Sequence, residues 1–414
     1  MAPDSHASPS SYAASSVVPP AAAPSVDHSS GTAGARRSTY SEAGVDTAAG
    51  DLAVELMKSA VRSTHGPEVQ GGVGGFAGMF DASALRAYRR PLLATSTDGV
   101  GTKVAIAQAI DKHDTVGQDL VGMVVDDIVV VGARPLFMTD YIACGRVVPE
   151  RIADIVRGIA NACRETGTAL VGGETAEHPG LLGPNDYDMA GAATGVVEAD
   201  ALLGSHRVEA GDAILALASS GLHSNGYSLV RHIVARAGIQ YGDQARDFGS
   251  TWGEALLEPT RLYTAPLLRL LSDPGVGDGV HALSHVTGGG IAANLARVLP
   301  KETWAEVDRS TWSPSPVFHV LSDIAGSTLE SSEGTWNLGI GFLAVVAADR
   351  AEAAASALAQ EGIATWQVAT VRTGARPPGD FEQGAKGVDG GAVRLVGSYR
   401  DGAHRSGAIH DGAN

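Results

Sequence analysis

Short apolar segments that run directly into glycine-rich loops recur along this sequence, and helical patterns separate them. Residues 92–96 have the apolar character of a buried strand and lead into the loop Asp98-Gly99-Val100-Gly101. Residues 149–164 repeat apolar side chains at the spacing of one helical face, and a short apolar strand at 169–171 follows. This alternation predicts an α/β protein, and no short repeat period indicates a solenoid or a propeller.

The same order of elements returns after a polar stretch at residues 197–211. The elements predicted there alternate strand, loop and helix: a strand at 213–218, a loop at 219–226, a helix from Tyr227, a loop at 287–290 and a helix ending at Val298. We therefore predict two α/β domains, the first at residues 39–203 and the second at residues 204–397.

The two ends of the 414-residue chain lack any pattern that would support a folded core. Residues 1–38 are rich in Ala, Ser and Pro, and residues 398–414 are rich in Gly, His and Asp, so we predict two disordered tails. The first tail lacks the basic start and the uninterrupted apolar run of a secretory signal. Nowhere does an apolar run reach the ~18 residues that span a bilayer.

Charge and cysteine content exclude several classes of partner. Asp and Glu number 46 against 30 Lys and Arg, which gives a net charge of −16, and such a surface repels the phosphate backbone of a nucleic acid. The two cysteines, Cys144 and Cys163, form one disulfide at most, which favours a reducing compartment. We therefore expect a cytoplasmic protein with no nucleic-acid partner and no membrane span.

Three carboxylates from separate segments stand where a divalent cation is expected to bind. Asp98 follows one predicted strand, Glu174 follows a later one, and Asp127 lies at the edge of the apolar face of a helix predicted at 116–132. With no Cys or clustered His nearby, three carboxylates favour a hard, oxygen-ligated ion such as Mg2+ over zinc. One alternative is a plain surface turn at Asp98 with a solvated Lys103. The other is a solvated helix margin for Asp127 and the neighbouring Asp126.

Glycine-rich loops offer backbone N–H groups that bind phosphates. The segment 96–103 combines Asp98, two glycines and Lys103, but it lacks the spacing of a Walker A motif. The segment 71–78 matches GxGxxA from Gly72, yet no convincing strand precedes it, which disfavours a dinucleotide site. This second segment is either a mobile flap that closes over phosphates or a plain linker.

Two histidine-bearing loops precede helices in the second half, at residues 221–227 and 284–290. Helix N-termini with glycines and hydroxyl groups bind anions readily. His223 and His285 have ordinary pKa values near neutrality, so either one can move a proton, although most loop histidines have no such role.

Taken together, these segments resemble the phosphoribosylformylglycinamidine cyclo-ligase family, whose superfamily includes selenophosphate synthetase and thiamine-phosphate kinase. The resemblance extends from about Tyr40 to about Gly397, and its specificity comes from the ordered set, because each glycine loop alone is a weak signal. The matching segments are Tyr40 to Asp46, Gly74 to Phe76, Asp98 to Lys103, Asp127, Pro135 to Phe137 with Asp140 and Tyr141, Gly172 to Glu177, Gly221 to Ser228, Leu257 to Arg261, and His285 to Gly290 with Asn294.

The resemblance implies an ATP-dependent ring closure in purine biosynthesis. Formylglycinamidine ribonucleotide, a small-molecule substrate, becomes aminoimidazole ribonucleotide, and ADP and phosphate are released. The implied fold has two α/β domains, of which the first binds ATP and pairs its sheet across a homodimer, and the second binds the substrate. The implied cofactors are ATP and Mg2+.

The resemblance also implies roles for the matching positions. The implied metal ligands are Asp98, Asp127 and Glu174. The implied nucleotide contacts are the flap residues Gly74, Gly75 and Phe76, then Gly99, Gly101, Thr102, Lys103, Asp127, Gly173 and Glu174, with Lys103 neutralising phosphate charge. The implied substrate contacts are His223, Ser224, Asn225, Thr287, Gly288, Gly289 and Gly290. The implied catalytic residues are Asp98, Lys103 and His223, with His223 as the base and His285 as the second candidate.

The sequence departs from the family near these sites. Asp126 stands where Asn is usual, which adds a negative charge beside Asp127, and Gly66 stands where Arg is common, which removes or moves one phosphate contact. Other superfamily members fit less well, because residues 56–81 lack the Cys of a selenophosphate synthetase and a thiamine-phosphate kinase would lack residues 221–226 in this form. A non-catalytic nucleotide-binding scaffold is the alternative from another class.

Overall fold

The computed structural model describes residues 46–385 and 388–400. The tail predicted at 1–38 lies outside these ranges, as do residues 401–414 of the second predicted tail. Two residues assigned to that second tail contact the folded protein instead. The Tyr399 ring packs edge-on against Trp312 at 5.3 Å between centroids, and the Arg400 N–H donates to the Trp312 carbonyl at 3.3 Å.

Four helices were predicted from the sequence, and they begin or end within a few residues of the predicted positions. One of them starts at Pro149, whose fixed φ suits a first turn, and ends before Gly167, whose φ of 68° lets the chain leave the helix. The helices are α1 (Thr47–Arg62), α2 (Val104–Ile110), α3 (Val116–Val129), α4 (Pro149–Thr166), α5 (Tyr227–Arg236), α6 (Trp252–Leu256), α7 (Thr264–Ser272), α8 (Gly290–Val298), α9 (Pro316–Ala325) and α10 (Ala351–Gln360). Among the residues described, none of these helices is both long enough and apolar enough to cross a bilayer.

The strands alternate with these helices, as the sequence predicts for an α/β fold. They are β1 (Val69–Gln70), β2 (Met79–Phe80), β3 (Pro91–Gly99), β4 (Arg134–Cys144), β5 (Ala169–Glu177), β6 (Tyr187–Glu198), β7 (Ala213–Ala218), β8 (Gln244–Ala245), β9 (Ser250–Thr251), β10 (Val280–His285), β11 (Thr303–Asp308), β12 (Ile340–Val346), β13 (Thr365–Thr370), β14 (Arg372–Thr373), β15 (Glu382–Gln383) and β16 (Ala392–Val396).

The first half of the chain forms a four-stranded sheet in the order β3, β6, β4, β5. The pair β4 and β5 is parallel, whereas the other two pairs are antiparallel. Met138, Ile142 and Ala193 point from one face into the core, where α3 and α4 pack. Leu93 and Tyr141 are exposed on the opposite face, which we call the open face.

The second half contains two further four-stranded sheets. One has the order β10, β12, β7, β13 with antiparallel pairs throughout, and the other has the order β14, β11, β16, β15 with a parallel pair between β11 and β16. One apolar cluster joins the two halves, with Leu120 from α3, Val230 from α5 and Phe318 from α9. Both halves therefore belong to one compact unit.

The structure corrects two local predictions. Asp98 and Gly99, predicted to lie in a loop, are in β3, and residues 172–174, predicted to follow a strand, are part of β5. This strand pairs in parallel with β4, and Gly173 stands opposite Asp140. A Cβ atom on Gly173 would lie 2.1 Å from Asp140 Oδ1, so glycine is what lets the strand pass this carboxyl group.

Candidate active site

One side of α3 carries contacts between the two halves of the chain. Asp119, Met123, Asp126 and Asp127 lie at positions i, i+4, i+7 and i+8 of this helix, which places them along one side. Each of these residues has a hydrogen-bond partner in the second half. Because of this helical spacing, the polar side chains of α3 lie at the junction between the two halves.

Asp126 is fully buried and caps α7 from outside that helix. Its carboxylate accepts hydrogen bonds from the N–H groups of Tyr263 and Thr264, at 3.2 and 2.9 Å, and from the Thr264 hydroxyl at 2.6 Å. Burial raises the pKa of Asp126 to about 6, although these bonds and the charge of His285 oppose the shift. The solvated position considered for Asp126 is wrong, because its oxygens face the N-terminus of α7.

Asp127 orients a buried histidine. His285 Nδ1 lies 2.9 Å from Asp127 Oδ1, and the imidazole stacks on Phe342 with 5.3 Å between ring centroids. Among the described residues, the buried Nε2 atom of His285 has no hydrogen-bond partner. Burial lowers the pKa of His285, but the hydrogen bond to Asp127 and the charges of Asp127, Asp126 and Asp98 outweigh it, so that the pKa is raised.

Asp98 lies at the end of β3, with its side chain exposed and its Oδ1 atom accepting from the Gly99 N–H at 2.7 Å. Partial burial and the nearby charge of Asp127 raise the pKa of Asp98, against the effect of the Gly99 hydrogen bond. In the same loop, the Thr102 hydroxyl lies 3.2 Å from that of Ser228 in α5. Asp98 and Asp127 therefore form one acidic cluster beside the second half.

Glu174 does not join this cluster within one chain. It is exposed on β5, whereas Asp98 is on β3 at the other edge of the same sheet. The three strand spacings between them, of about 4.8 Å each, separate the backbones by about 14 Å. In the described ranges, no three His, Cys, Asp or Glu side chains are grouped so as to hold a metal ion. The three predicted metal ligands are therefore not brought together by one copy of the chain.

The glycine-rich segment 71–78 covers a cavity of about 250 Å³. Gly72 to Gly75 line this cavity together with α1, and Asp140 and Glu174 line it from the sheet. Burial raises the pKa of Asp140 to about 7. Phe76 is fully exposed, at 115%, and Gly74 has a φ of 102° that favours glycine. The predicted flap therefore lines a cavity that Gly173 and Glu174 also line.

Lys103 lies inside the protein, whereas the family resemblance implies a contact with phosphate. The side chain is fully buried, and its ammonium donates to Asp119 Oδ1 at 2.8 Å and to the carbonyls of His223 and Glu258 at 2.9 and 2.6 Å. An ammonium has three donors, and all three are used. Neutralisation of phosphate by Lys103 would require one of these bonds to break.

His223 is buried and has a left-handed backbone, with a φ of 61°. Its Nε2 atom accepts a hydrogen bond from the Ser220 N–H at 3.2 Å, and its Nδ1 atom has no partner among the described residues. Burial lowers the pKa of His223 well below its usual range, and the positive charges of His285, Lys103 and Arg261 lower it further. The imidazole is therefore neutral at physiological pH.

The two predicted substrate loops meet at Asn225 and Gly288. A Cβ atom on Gly288 would lie 3.4 Å from Asn225 Oδ1. Asn225 also donates to Met123 Sδ at 3.5 Å, and the Ser224 hydroxyl lies 3.5 Å from that of Thr260. The structure thus brings Ser224, Asn225 and the 287–290 loop together beside α3.

Glycines shape the turns of these loops. Gly290, the first residue of α8, has a φ of 72°, and a Cβ atom there would lie 1.6 Å from the carbonyl oxygen of Glu333. Gly289, with a φ of 109°, and Gly101, with a φ of 73°, also have backbones that favour glycine. The Thr287 carbonyl accepts from the Gly290 N–H at 3.1 Å, which closes the turn into α8.

Asp119 is a junction residue that no sequence pattern singled out, and its partner Thr260 lies in the matching segment Leu257 to Arg261. Asp119 is fully buried, and its Oδ1 atom accepts from the N–H and the hydroxyl of Thr260 at 2.8 and 2.7 Å. The available signal was the pair Asp119 and Asp126, seven residues apart in a helix that is otherwise largely apolar. Buried carboxylates need partners, so such a pair indicates polar contacts to another segment.

Comparison with known proteins defines the class of this fold and site. Residues 80–197 match the N-terminal domain model of AIR synthase related proteins, and residues 209–377 match the C-terminal domain model. The fold is similar to that of thiamine-monophosphate kinase from Stenotrophomonas maltophilia, at 17% identity and a TM-score of 0.57, with 83% of this chain and 97% of that chain covered. Hydrogenase maturation protein HypE from E. coli gives the same TM-score at 19% identity, with 86% of this chain and 94% of that chain covered.

Curated relatives identify the family more narrowly. The phosphoribosylformylglycinamidine cyclo-ligase of Thermosynechococcus vestitus is 47% identical over 337 residues, which cover 81% of this chain and 97% of the relative. The enzyme of the same name from Geobacillus sp. is 46% identical over 336 residues, which cover 81% of this chain and 96% of the relative. The chain therefore belongs to the phosphoribosylformylglycinamidine cyclo-ligase family, and it is an enzyme of the ligase class.

Proposed function

We propose that this enzyme uses ATP to convert formylglycinamidine ribonucleotide into aminoimidazole ribonucleotide, with release of ADP and phosphate. The observation that carries the proposal is the identity of 44–47% to named cyclo-ligases over 96–97% of their length. The junction along α3 supports it, because the acidic pair Asp98 and Asp127 and the loops of Asn225 and His285 meet there.

Ring closure needs ATP because an amide-type oxygen is a poor leaving group. Transfer of the γ-phosphoryl group to the formyl oxygen gives an imidate-like phosphate and ADP. The nearby nitrogen then attacks the formyl carbon, the C–N bond forms, the C–O bond breaks and phosphate leaves with the oxygen. A pocket that holds nitrogen and carbon together supplies a high effective molarity for the attack.

The flap and its cavity support ATP as the phosphoryl donor. Gly74, Gly75 and Phe76 can close over a nucleotide, and their backbone N–H groups are suited to phosphate oxygens. A structural neighbour with a TM-score of 0.52, HypE, has been crystallised in complex with ATP. We therefore assign ATP as the cosubstrate.

Asp98 and Asp127 fit Mg2+ without Glu174. Magnesium in nucleotide sites is usually bound by one or two carboxylates, with phosphate oxygens and water as the other ligands. The two aspartates form one acidic cluster, and Asp127 has a second oxygen besides the one bound to His285. When bound there, the ion would offset negative charge on the phosphates.

The geometry supports His285 as the base better than His223. The Nε2 atom of His285 has no partner among the described residues, while Nδ1 is held by Asp127, an arrangement suited to accepting a proton. Nε2 of His223 already accepts from Ser220, and the pKa of His223 is lowered. The catalytic role of His223 stays a prediction from the sequence.

We also propose that the enzyme is a cytoplasmic homodimer whose open sheet faces pair. Leu93 and Tyr141 expose apolar surface on this face, and the small side chains of Ala190 and Ala192 lie between them. Glu174 lies in the same half, at the edge strand of this sheet.

The proposal is tested by measuring ADP release by the purified protein with Mg2+ and each candidate substrate. We expect ADP only with formylglycinamidine ribonucleotide, accompanied by the imidazole product detected by mass. Equal ADP release with thiamine monophosphate, or ADP release without any substrate, would exclude the cyclo-ligase activity. Heat-inactivated protein serves as the control for spontaneous hydrolysis.

A further inference from the structure

Lys103 and Asp119 form a buried ion pair whose hydrogen bonds reach two loops of the second half. We infer that this pair, here called the clamp, is a positioning device that fixes the His223 loop and the 258–260 segment against α3. The inference deepens the proposed function, and it rests on that function where turnover is concerned.

On the lysine side, the clamp holds two backbone carbonyls from distant segments. The ammonium donates to the carbonyls of His223 and Glu258, and it lies 5.4 Å from the ring centroid of Tyr227. Tyr227 is the first residue of α5, which follows the His223 loop directly. One cation therefore sets the distance between the His223 loop, the start of α5 and the 258–260 segment.

On the aspartate side, the clamp extends to a predicted substrate residue. Asp119 Oδ1 accepts from both the N–H and the hydroxyl of Thr260, and the Thr260 hydroxyl lies 3.5 Å from that of Ser224. Gln118, the neighbour of Asp119 in α3, donates to the Thr260 carbonyl at 2.8 Å. Movement of Asp119 would therefore move Thr260 and the hydroxyl of Ser224.

The backbone of His223 shows why such a clamp is needed. A residue other than glycine adopts a φ of 61° only at an energetic cost, so the surroundings must hold it there. Lys103 holds its carbonyl, and the Ser220 N–H binds its imidazole. Without the clamp, we expect His223 to relax to a right-handed or extended backbone and to displace Ser224 and Asn225.

Stability alone does not account for a buried ion pair. Two charges removed from water lose much of their mutual attraction to desolvation, and neutral residues of similar size often stabilise a protein as well. A neutral pair, however, offers no cationic donors for the carbonyls of His223 and Glu258. The clamp is therefore best explained by the directed hydrogen bonds that it makes.

The test compares Lys103→Met, Asp119→Asn and the double variant Lys103→Met/Asp119→Asn in the full chain. Lys112→Met is the matched control, because the Lys112 ammonium is in a surface ion pair with Asp114. Four quantities are measured: the melting temperature, the Kd for ADP, kcat with formylglycinamidine ribonucleotide, and hydrogen exchange of residues 220–226. The double variant keeps the test decisive even where a single variant fails to fold.

We expect each single variant to lose stability, because it leaves one buried charge without its partner. The double variant should regain most of the lost melting temperature, with the remainder being the cost of two carbonyls without donors. Its kcat should stay reduced by about 100-fold, as for a misplaced site. In the double variant, the carbonyls of His223 and Glu258 have lost their donor. Hydrogen exchange at residues 220–226 should therefore stay at least tenfold faster than in the wild type. The Kd for ADP should change by less than about twofold in every variant, since less than 0.5 kcal/mol is at stake.

Two results would overturn the inference. If the double variant regains kcat and slow exchange along with its melting temperature, the pair has only a structural role. If Lys103→Met weakens ADP binding more than tenfold and Asp119→Asn does not, Lys103 is a phosphate ligand. Exchange and ADP binding need no turnover, so they decide the positioning role even if the wild type fails to cyclise this substrate.

Discussion

Four acidic residues of the first half form two groups that differ in burial. Asp119 and Asp126 are fully buried in α3, and their oxygens bind backbone and hydroxyl groups of the second half. Asp98 is exposed near the end of β3, where it accepts from the Gly99 N–H, and Glu174 is exposed within β5. Carboxylate side chains thus join the two halves of the protein at Asp119 and Asp126, and they are accessible to ligands at Asp98 and Glu174.

Asp127 belongs to both groups and shows what separates them. It lies beside buried Asp126 in α3, but its side chain is 42% exposed and holds the imidazole of His285. Neighbouring residues in a helix point about 100° apart, so one faces α7 and the other faces the site. The direction of the side chain therefore decides which carboxylate stabilises the fold and which one takes part in the proposed active site. Substitutions at the two kinds of carboxylate should therefore affect different measurements.

The largest effect is expected from Asp98→Asn. The change removes an exposed negative charge from the acidic cluster at the proposed phosphoryl-transfer site, so kcat should fall by about 1000-fold. The melting temperature should stay close to that of the wild type, because Asp98 has few protein partners. A coupled assay of ADP release and a thermal melt measure the two quantities. A large loss of stability would place Asp98 with the buried group.

Asp126→Ala should have the opposite profile. It leaves the N–H groups of Tyr263 and Thr264 and the Thr264 hydroxyl without their acceptor, at a cost of about 3 kcal/mol of unfolding free energy. Denaturant titration measures the cost. The fraction that remains folded should turn over within about tenfold of the wild type. The acidic limb of its pH profile should move to lower pH, because the charge of Asp126 contributes to the raised pKa of His285. Turnover lost without a loss of stability would instead place Asp126 in the catalytic site.

His285→Asn should change the pH profile of turnover, whereas the matched His223→Asn variant should not. Removing a general base lowers the rate by about 100-fold and removes the corresponding acidic limb of the profile. Because Asp127 and the nearby acidic groups raise the pKa of His285, that limb should lie above the usual histidine range. If the acidic limb of the pH profile disappears in His223→Asn and persists in His285→Asn, His223 is the general base.

Asp140→Asn is expected to act mainly on the pH dependence of stability. Burial raises the pKa of Asp140 to about 7 in the folded state, above the unfolded value of 3.8. The folded state therefore binds the proton more tightly, and the wild type loses stability as pH rises through this window. The stability of the wild type relative to Asp140→Asn should accordingly decrease from pH 5 to pH 8, as measured by melts. A difference that is constant with pH would contradict the shift.

Sequence patterns predicted the local structure well where a single periodicity governed it. The apolar spacing of 149–164 placed α4, and the strand at 213–218 was found at Ala213–Ala218. The prediction for residues 172–174 was wrong because glycines usually mark loops. These residues pair with β4, and glycine is required at 173 because the Asp140 carboxyl group lies beside it. Local preference therefore failed where a long-range contact decided the structure.

Sequence patterns could not predict the directions of the side chains at the junction between the halves. The Lys103 motif has the composition of a phosphate-binding loop, yet the ammonium faces inward to carbonyls more than 100 positions away in the chain. The separation of Asp98 and Glu174 follows from the strand order, in which β6 and β4 lie between β3 and β5. The local sequence contains no signal for the inward direction of Lys103 or for the separation of Asp98 from Glu174.

The central claim is that ATP phosphorylates the formyl oxygen before nitrogen attacks. The most direct test uses formylglycinamidine ribonucleotide labelled with 18O in the formyl group, with mass analysis of the phosphate released during turnover. We predict that the label appears in inorganic phosphate, because the C–O bond breaks after the P–O bond has formed. Label found in water, with unlabelled phosphate, would show that ATP is hydrolysed without activating that oxygen and would contradict the mechanism.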